Sequence, residues 1–314
     1  MFLNNHYCSW FLMEKKDIIS INEFSIDEIN EIIEKAKQLE ALEPEKKLQL
    51  LKGKVIACLF YEPSTRTRDS FKTAIARLGA SAIGFDSADA TSGKKGESLH
   101  DTIKMYEGYA DLIVMRHNKD GSAKLAAGVS KIPVINAGDG KNQHPTQTLL
   151  DLYTIKKIHG SLFNLNIALV GDLKYGRTAH SLAQALSMFN CRLFFISPPN
   201  LKMPEHILES VRNYSEHEKI QDVISDADIL YMTRIQRERF PDENEYQKVK
   251  NVYKLTAGML KNVKPNMKVM HPLPRVNEID KKVDDTPYAH YFEQAQNGVI
   301  IRQALIGMLL GAKW

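Results

Sequence analysis

Apolar positions along the chain follow two alternating rhythms. Segment 25–40, SIDEINEIIEKAKQLE, places Ile26, Ile29, Ile32, Ile33 and Ala36 at helical spacing, and Ser25 with Glu28 has the S-x-x-E spacing of a capping box. KVIACLFYE (54–62) is instead a continuous β-prone run, as expected of a strand buried on both faces of a parallel sheet. RTRDSFKTAIARLGA (66–80) then reads as a helix ending near Gly79. ASAIGFD, ADLIVMRH and IPVINAGD are three further strands, with helical segments over 98–108 and 120–128 before the last two. After a helix at 146–159 the pattern restarts, with strands at 166–172, 192–198, 227–233 and 267–272, a helix at 177–189, and helices expected in the remaining intervals. A final helix is expected over 295–312.

Strand–helix alternation of this kind predicts parallel sheets covered on both faces. The expected fold class is α/β, with two doubly wound parallel-sheet domains. At 314 residues the chain exceeds what one hydrophobic core usually serves. The expected boundaries are 1–147 for the first domain, 148–295 for the second and 296–314 for a C-terminal helix that packs back on the first.

Composition narrows the class. A hydrophobic fraction of 43% and a charged fraction of 25% are ordinary for a soluble globular protein. The formal net charge of +4 suits small anions, and the scattered basic residues give no nucleic-acid signature. Cys8, Cys58 and Cys191 are far apart and form no CxxC pair, so neither a disulfide framework nor a zinc site is expected. The opening MFLNNHYCSWFLMEKKD lacks a basic n-region and is broken by Asn4, Asn5 and His6. Residues 1–14 are therefore expected to be an extension, with Met13 an alternative start, rather than a signal peptide. VIIRQALIGMLLGA is interrupted by Arg302 and too short to span a bilayer. The cytoplasm is the expected compartment, with no membrane partner.

Candidate chemistry gathers where strands give way to helices. In YEPSTRTRDSF (61–71), Ser64 to Thr67 fall at a predicted helix N-terminus, where unpaired N–H groups and the positive dipole end favour an anion. Ser64, Thr65 and Thr67 add hydroxyls, and Arg66 adds a planar fork suited to phosphate oxygens. Considered alone, the same run also reads as a Ser/Thr N-cap followed by surface arginines. No GxxxxGK[ST] sequence suggests a nucleoside triphosphate. VMRH ends a strand on Arg116, and ligands bind at strand carboxyl ends in open α/β sheets. NQHPTQTLLDLYTI places His144 and Gln147 around Pro145 at a helix start. GDLKYGRTAHS leads Arg177 into a helix, MTRIQRERF puts Arg234 and Gln236 after a strand, and MHPLPRV is a Pro-stiffened turn.

With these stretches in order, the chain from about Lys16 to Gly311 resembles the catalytic chains of the aspartate carbamoyltransferase family. EPSTRTR, GKKGE, VMRH, QHPTQTLLDL, VGDLKYGRTAHSLAQAL, YMTRIQRERF, HPLPRV and NGVIIRQAL carry the resemblance. STRTR and HPTQ would also suit an ornithine carbamoyltransferase. HPLP (271–274), where those enzymes resemble HCLP, and LKYGRT favour aspartate.

The resemblance implies carbamoyl transfer from carbamoyl phosphate to L-aspartate, the committed step of de novo pyrimidine biosynthesis. It implies no metal and no cofactor. Ser64, Thr65, Arg66 and Thr67 would hold the phosphate, and Arg116 would reach both phosphate and carbonyl. His144, Arg116 and Thr67 would donate to the carbamoyl oxygen, and Gln147 would accept from its nitrogen. Arg177, Arg234 and Gln236 would bind the carboxylates of aspartate, with backbone groups of Leu273 and Pro274 near the reacting atoms. DSADATSGKKGE (86–97) resembles a loop donated to a neighbouring subunit's site, with Lys95 reaching phosphate and aspartate. Thr91 stands where the family has Ser, beside Ser92, and Asp69 and Lys72 are further departures. A homotrimer with shared sites is thus implied. A regulatory chain or another partner enzyme is left open, as are another acceptor amine and a catalytically silent, anion-binding homologue.

Overall fold

The computed structural model describes residues 17–88, 96–235, 242–250 and 252–314. The expected N-terminal extension and the candidate residues Lys95, Thr91, Ser92 and Gln236 therefore lie outside the described residues. The chain forms two compact units, Met1–Thr146 with Gly298–Trp314, and Gln147–Asn297.

The first unit carries a four-stranded parallel sheet in the order β2-β1-β3-β4, with β1 at Val55–Phe60, β2 at Ser81–Phe85, β3 at Leu112–His117 and β4 at Val134–Asp139. Its helices are α1 (Ile26–Ala41), α2 (Pro44–Lys47), α3 (Thr65–Arg77), α4 (Leu99–Glu107) and α5 (Ser122–Val129). The capping box forms as the sequence predicts, with Ser25 Oγ accepting from Glu28 N at 3.2 Å and Glu28 Oε2 accepting from Ser25 N at 2.7 Å. Leu59, Ile113, Met115 and Val134 are fully buried in the core. Complete burial of one such side chain contributes about 1.5–3 kcal/mol.

The second unit carries a five-stranded parallel sheet in the order β7-β6-β5-β8-β9. Its strands are β5 (Asn166–Val170), β6 (Arg192–Ile196), β7 (Tyr214–His217), β8 (Ile229–Met232) and β9 (Lys268–Met270). Strand β7 is absent from the sequence reading. As an edge strand of four residues, YSEH, it has no apolar run to announce it. The interval 199–226 also departs from the expected helices, holding only 3₁₀ turns and the four-residue α8 (Glu205–Leu208) besides β7.

The remaining helices are α6 (Pro145–His159), α7 (Arg177–Met188), α9 (Glu243–Val249) and α10 (Tyr291–Leu309). Helix α10 opens at Tyr291, four residues before the sequence reading places it. Its last turns belong to the first unit, where Arg302 Nη1 donates to Ser70 Oγ at 2.8 Å. Among the described residues, no helix is long and apolar enough to cross a membrane.

Candidate active site

In the first unit, β1 connects outward to β2 on one side, and β3 lies on the other. The strand order therefore reverses between β1 and β3, and the carboxyl edge of such a reversal is where open α/β sheets leave a crevice for ligands. The register pairs Phe60 with Arg116, and Tyr61 N donates to Arg116 O at 2.8 Å. This pairing sets the turn that enters α3 beside the Arg116 side chain. Arg116 is buried, donates from Nη1 to Ala137 O at 3.1 Å, and pairs through Nη2 with Glu62 Oε2 at 2.8 Å.

Ser64 is the N-cap residue of α3, yet its hydroxyl makes no capping hydrogen bond. Ser25 at α1 and Ser98 at α4 cap in the ordinary way. Ser64 thus holds the N-cap position of the STRTR run while the first-turn amides of α3 stand with a hydroxyl not spent on them. Thr65 and Arg66 are exposed, whereas Thr67 is buried. Arg68, the last of the run, is engaged by Asp69 Oδ1 at 2.8 Å and Asp86 Oδ2 at 2.7 Å. That pairing gives the departure at Asp69 a local role.

His144 is buried directly before Pro145, the first residue of α6. The loop that carries it is organised by Asp139, which is 1% exposed. Asp139 Oδ1 accepts from Asn136 Nδ2 at 3.0 Å and Gln143 N at 3.1 Å, and Oδ2 accepts from Gly121 N at 2.9 Å and Asn142 Nδ2 at 3.1 Å. His117, at the end of β3, is half-buried, and burial, with Lys119 adding to it, keeps its pKa below the usual range.

The second unit repeats the scheme. Its strand order reverses between β5 and β8, paired at Val170 and Met232. Arg177, buried, opens α7 after β5, and Arg234 follows β8. Gly171, at φ 120°, lets the two strand ends approach, since a Cβ there would meet Thr233 O at 2.4 Å. Asp172 Oδ1 accepts from Tyr175 N at 2.9 Å and shapes the turn into α7. A small cavity of about 50 Å³ is lined by Gly171, Thr233, Arg234 and Glu278, among others.

The turn after β9 holds Leu273 and Pro274, joined by a cis peptide bond, with Leu273 at φ 54°. Leu273 N donates to His271 Nδ1 at 2.7 Å, so the proton of the neutral ring sits on Nε2, which donates to Glu278 Oε1 at 2.7 Å. Burial, helped by the positive charges of Arg275 and Arg234, holds the His271 pKa below its usual value despite the pull of Glu278. Burial alone would raise the Glu278 pKa, but hydrogen bonds from His271 and from backbone N–H groups bring it below the usual carboxylate value. The pair is thus a neutral imidazole donating to a carboxylate. Arg275 anchors the end of the turn through Asp284 and through Tyr291 Oη at 2.9 Å.

Gln147 opens the second unit, three residues beyond His144. Its Nε2 donates to Asp151 Oδ1 at 3.0 Å, the same oxygen that accepts from Gln294 Nε2 at 2.6 Å. Tyr231 Oη donates to Asp151 Oδ2 at 2.8 Å. Complete burial, with Asp151 adding to it, raises the Tyr231 pKa well above its usual value, so the phenol remains a donor. The structure thus groups Ser64, Thr65, Arg66, Thr67 and Arg116 at one strand edge, with His144 on the loop following the neighbouring strand. In the other unit it groups Arg177 with Arg234, and links Gln147 to the Leu273 turn. Sequence reasoning missed Glu62, Asp139, Asp151, Tyr231, Gln294 and His271. The one local signal was Asp151 itself, a carboxylate inside the apolar run TLLDLYTI.

Two parallel-sheet units, each with basic residues at the point where its strand order reverses, define an α/β enzyme for anionic substrates. Residues 16–157 match the family described as aspartate/ornithine carbamoyltransferase, carbamoyl-P binding domain, and residues 163–309 match its Asp/Orn binding domain. The chain belongs to the aspartate/ornithine carbamoyltransferase family. It is 54% identical over 301 residues to the aspartate carbamoyltransferase catalytic subunit of Thermococcus onnurineus, covering 94% of this chain and 97% of that one. With the Bacteroides fragilis catalytic subunit it shares 56% over 304 residues, covering 95% and 98%. Among solved structures, the catalytic subunit of M. jannaschii aspartate transcarbamoylase superposes with a TM-score of 0.87 at 49% identity, covering 95% of this chain and 98% of that one. The Trypanosoma cruzi enzyme in complex with carbamoyl phosphate and aspartate gives 0.88 at 36% identity, covering 94% and 97%.

Proposed function

We propose that this chain transfers the carbamoyl group of carbamoyl phosphate to the amine of L-aspartate, giving N-carbamoyl-L-aspartate and phosphate. The observation that carries the reading is the α3 entrance, where Ser64 leaves its hydroxyl out of the helix cap at the end of a turn whose Glu62 pairs with the buried Arg116. Unspent hydroxyls, first-turn amides and guanidinium groups are the donor set a phosphate dianion requires. In this reading Ser64, Thr65, Arg66, Thr67 and Arg116 bind the phosphate. His144, Arg116 and Thr67 donate to the carbamoyl oxygen. Arg177, Arg234 and Gln236 take the aspartate carboxylates, with Leu273 and Pro274 offering backbone groups.

The aspartate amine attacks the carbonyl carbon, and the C=O electrons move onto the oxygen. Donors preorganised for that oxyanion contribute about 3–4 kcal/mol each. The intermediate collapses with cleavage of the C–O bond to phosphate, and the departing phosphate takes the proton lost by the amine. Holding both substrates in register supplies much of the remaining acceleration.

The same reading places the enzyme in the cytoplasm at the committed step of pyrimidine biosynthesis. It makes the chain a homotrimer in which Lys95 of one subunit completes its neighbour's site. The division of labour is tested with two variants. Arg66→Ala should weaken carbamoyl phosphate binding in calorimetry, whereas Arg234→Ala should leave it close to wild type and raise the KM for aspartate. Equal loss of both substrates in both variants would refute the assignment.

A further inference from the structure

Every residue from Gln143 to Ile155 is buried except Gln147, which keeps partial exposure. Its amide is held from behind by Asp151, itself 0% exposed. A carboxylate is an acceptor only, so the group that faces it at 3.0 Å must be the NH₂ of Gln147. The carbonyl oxygen is then the end of the side chain left to a ligand. The hydrogen bond to a buried anion also polarises the amide and strengthens that oxygen as an acceptor.

Asp151 does not act on Gln147 alone. Its Oδ1 also takes Gln294 Nε2, and Gln294 Oε1 accepts from His271 N at 2.8 Å. The His271 ring in turn accepts from Leu273 N, leaving that residue its carbonyl to offer. The positive φ of Leu273, unusual for a residue with a side chain, is therefore held by hydrogen bonds that run from the buried Asp151 through Gln294 and His271. Tyr231 supplies the third donor to Asp151, which satisfies the carboxylate and keeps it from turning.

We propose that Asp151 is a positioning residue that fixes Gln147 as a hydrogen-bond acceptor, so that the site selects an acyl phosphate bearing NH₂ over an isosteric one bearing CH₃. The same carboxylate, through Gln294 and His271, sets the carbonyl of Leu273. The proposal rests on the assignment of Gln147 to the carbamoyl nitrogen, and the test separates the two.

The probes are carbamoyl phosphate and acetyl phosphate, which share the phosphate and carbonyl and differ at the NH₂ that Gln147 would read. Dissociation constants are measured for both by calorimetry. Wild type should prefer carbamoyl phosphate by about tenfold, the value of one hydrogen bond in a site of this kind. A wild-type preference under threefold would overturn the proposal without any variant. Gln147→Met should abolish the preference, and if it does not, the Gln147 assignment fails and the proposal with it. Asp151→Leu should also abolish it, with acetyl phosphate bound as in wild type. Asp151→Asn should retain most of it, because its amide oxygen can still accept from Gln147 and Gln294. Loss in Gln147→Met but full preference in a folded Asp151→Leu would refute the role of Asp151 and leave Gln147 in place. Equal weakening of both ligands in Asp151→Leu would make Asp151 a merely structural residue and overturn the proposal. If Asp151→Leu yields no folded protein, Asp151→Ser takes its place with the same expected outcomes.

Discussion

Ser64→Ala separates a ligand-binding hydroxyl from a structural one. An N-cap serine whose side chain accepts from the helix contributes about 1 kcal/mol, which its alanine variant loses. Ser25 is such a residue, with a complete capping box. Ser25→Ala should therefore lower the thermal midpoint by roughly 2–4 °C for a unit of this size. Ser64 occupies the same helical position in α3 but makes no capping bond with its side chain. Ser64→Ala should leave the midpoint within 1 °C or so, because it removes an interaction the unliganded protein does not make. Its cost should appear only with ligand. A hydrogen bond to a charged group is worth about 1.5–3 kcal/mol, so the dissociation constant for carbamoyl phosphate should rise about 10- to 150-fold. Differential scanning fluorimetry and calorimetry on the two variants measure both quantities. The reasoning is refuted if Ser64→Ala destabilises the protein as much as Ser25→Ala while carbamoyl phosphate affinity is unchanged.

Other outcomes follow from the same geometry. His144→Ala should lower kcat by a factor on the order of 10² to 10³, the range for one lost oxyanion donor, and carbamoyl phosphate should still bind; loss of binding would make His144 structural. His180 and His271 are buried with pKa values below the ordinary 6.5. As pH falls below about 6.5 the unfolded chain takes up protons first, so stability should fall by up to ~1.4 kcal/mol per pH unit for each histidine until its folded pKa is reached. A thermal midpoint that does not change between pH 7 and pH 5 would contradict this, and His180→Gln should show a shallower decline than wild type. If Lys95 acts across a subunit interface, mixing inactive Arg66→Ala and Lys95→Ala proteins after dissociation should restore about a quarter of wild-type activity, since three quarters of closed rings are mixed and each has one intact site in three. Activity that stays at the level of the separate variants after verified subunit exchange would place Lys95 within its own chain's site.

The parts legible in the sequence are those set by local pattern. Continuous apolar runs such as VIACLF announce parallel strands, and the Ser25–Glu28 box announces α1. Donor-rich stretches immediately after strands mark the carboxyl edges where ligands bind. Strand β7 was illegible because an edge strand of four residues, half of them exposed, needs no apolar run. The Asp151 network was illegible for a different reason. Its partners Tyr231 and Gln294 lie 80 and 143 residues away, and no periodicity connects them. Glu62 and Asp139 carry no such signal, since a carboxylate beside an anion site looks out of place in sequence. In the structure they hold the groups that would meet the anion, Glu62 by pairing with Arg116 and Asp139 by shaping the loop before His144.

The central claim is the identity of the acceptor. The purified chain is mixed with ¹³C-labelled carbamoyl phosphate and either L-aspartate or L-ornithine, and the products are followed by NMR with phosphate release in parallel. N-carbamoyl-L-aspartate formed in step with phosphate, and no citrulline, is the predicted result. Citrulline from ornithine, or phosphate released without any carbamoylated amine, would contradict it.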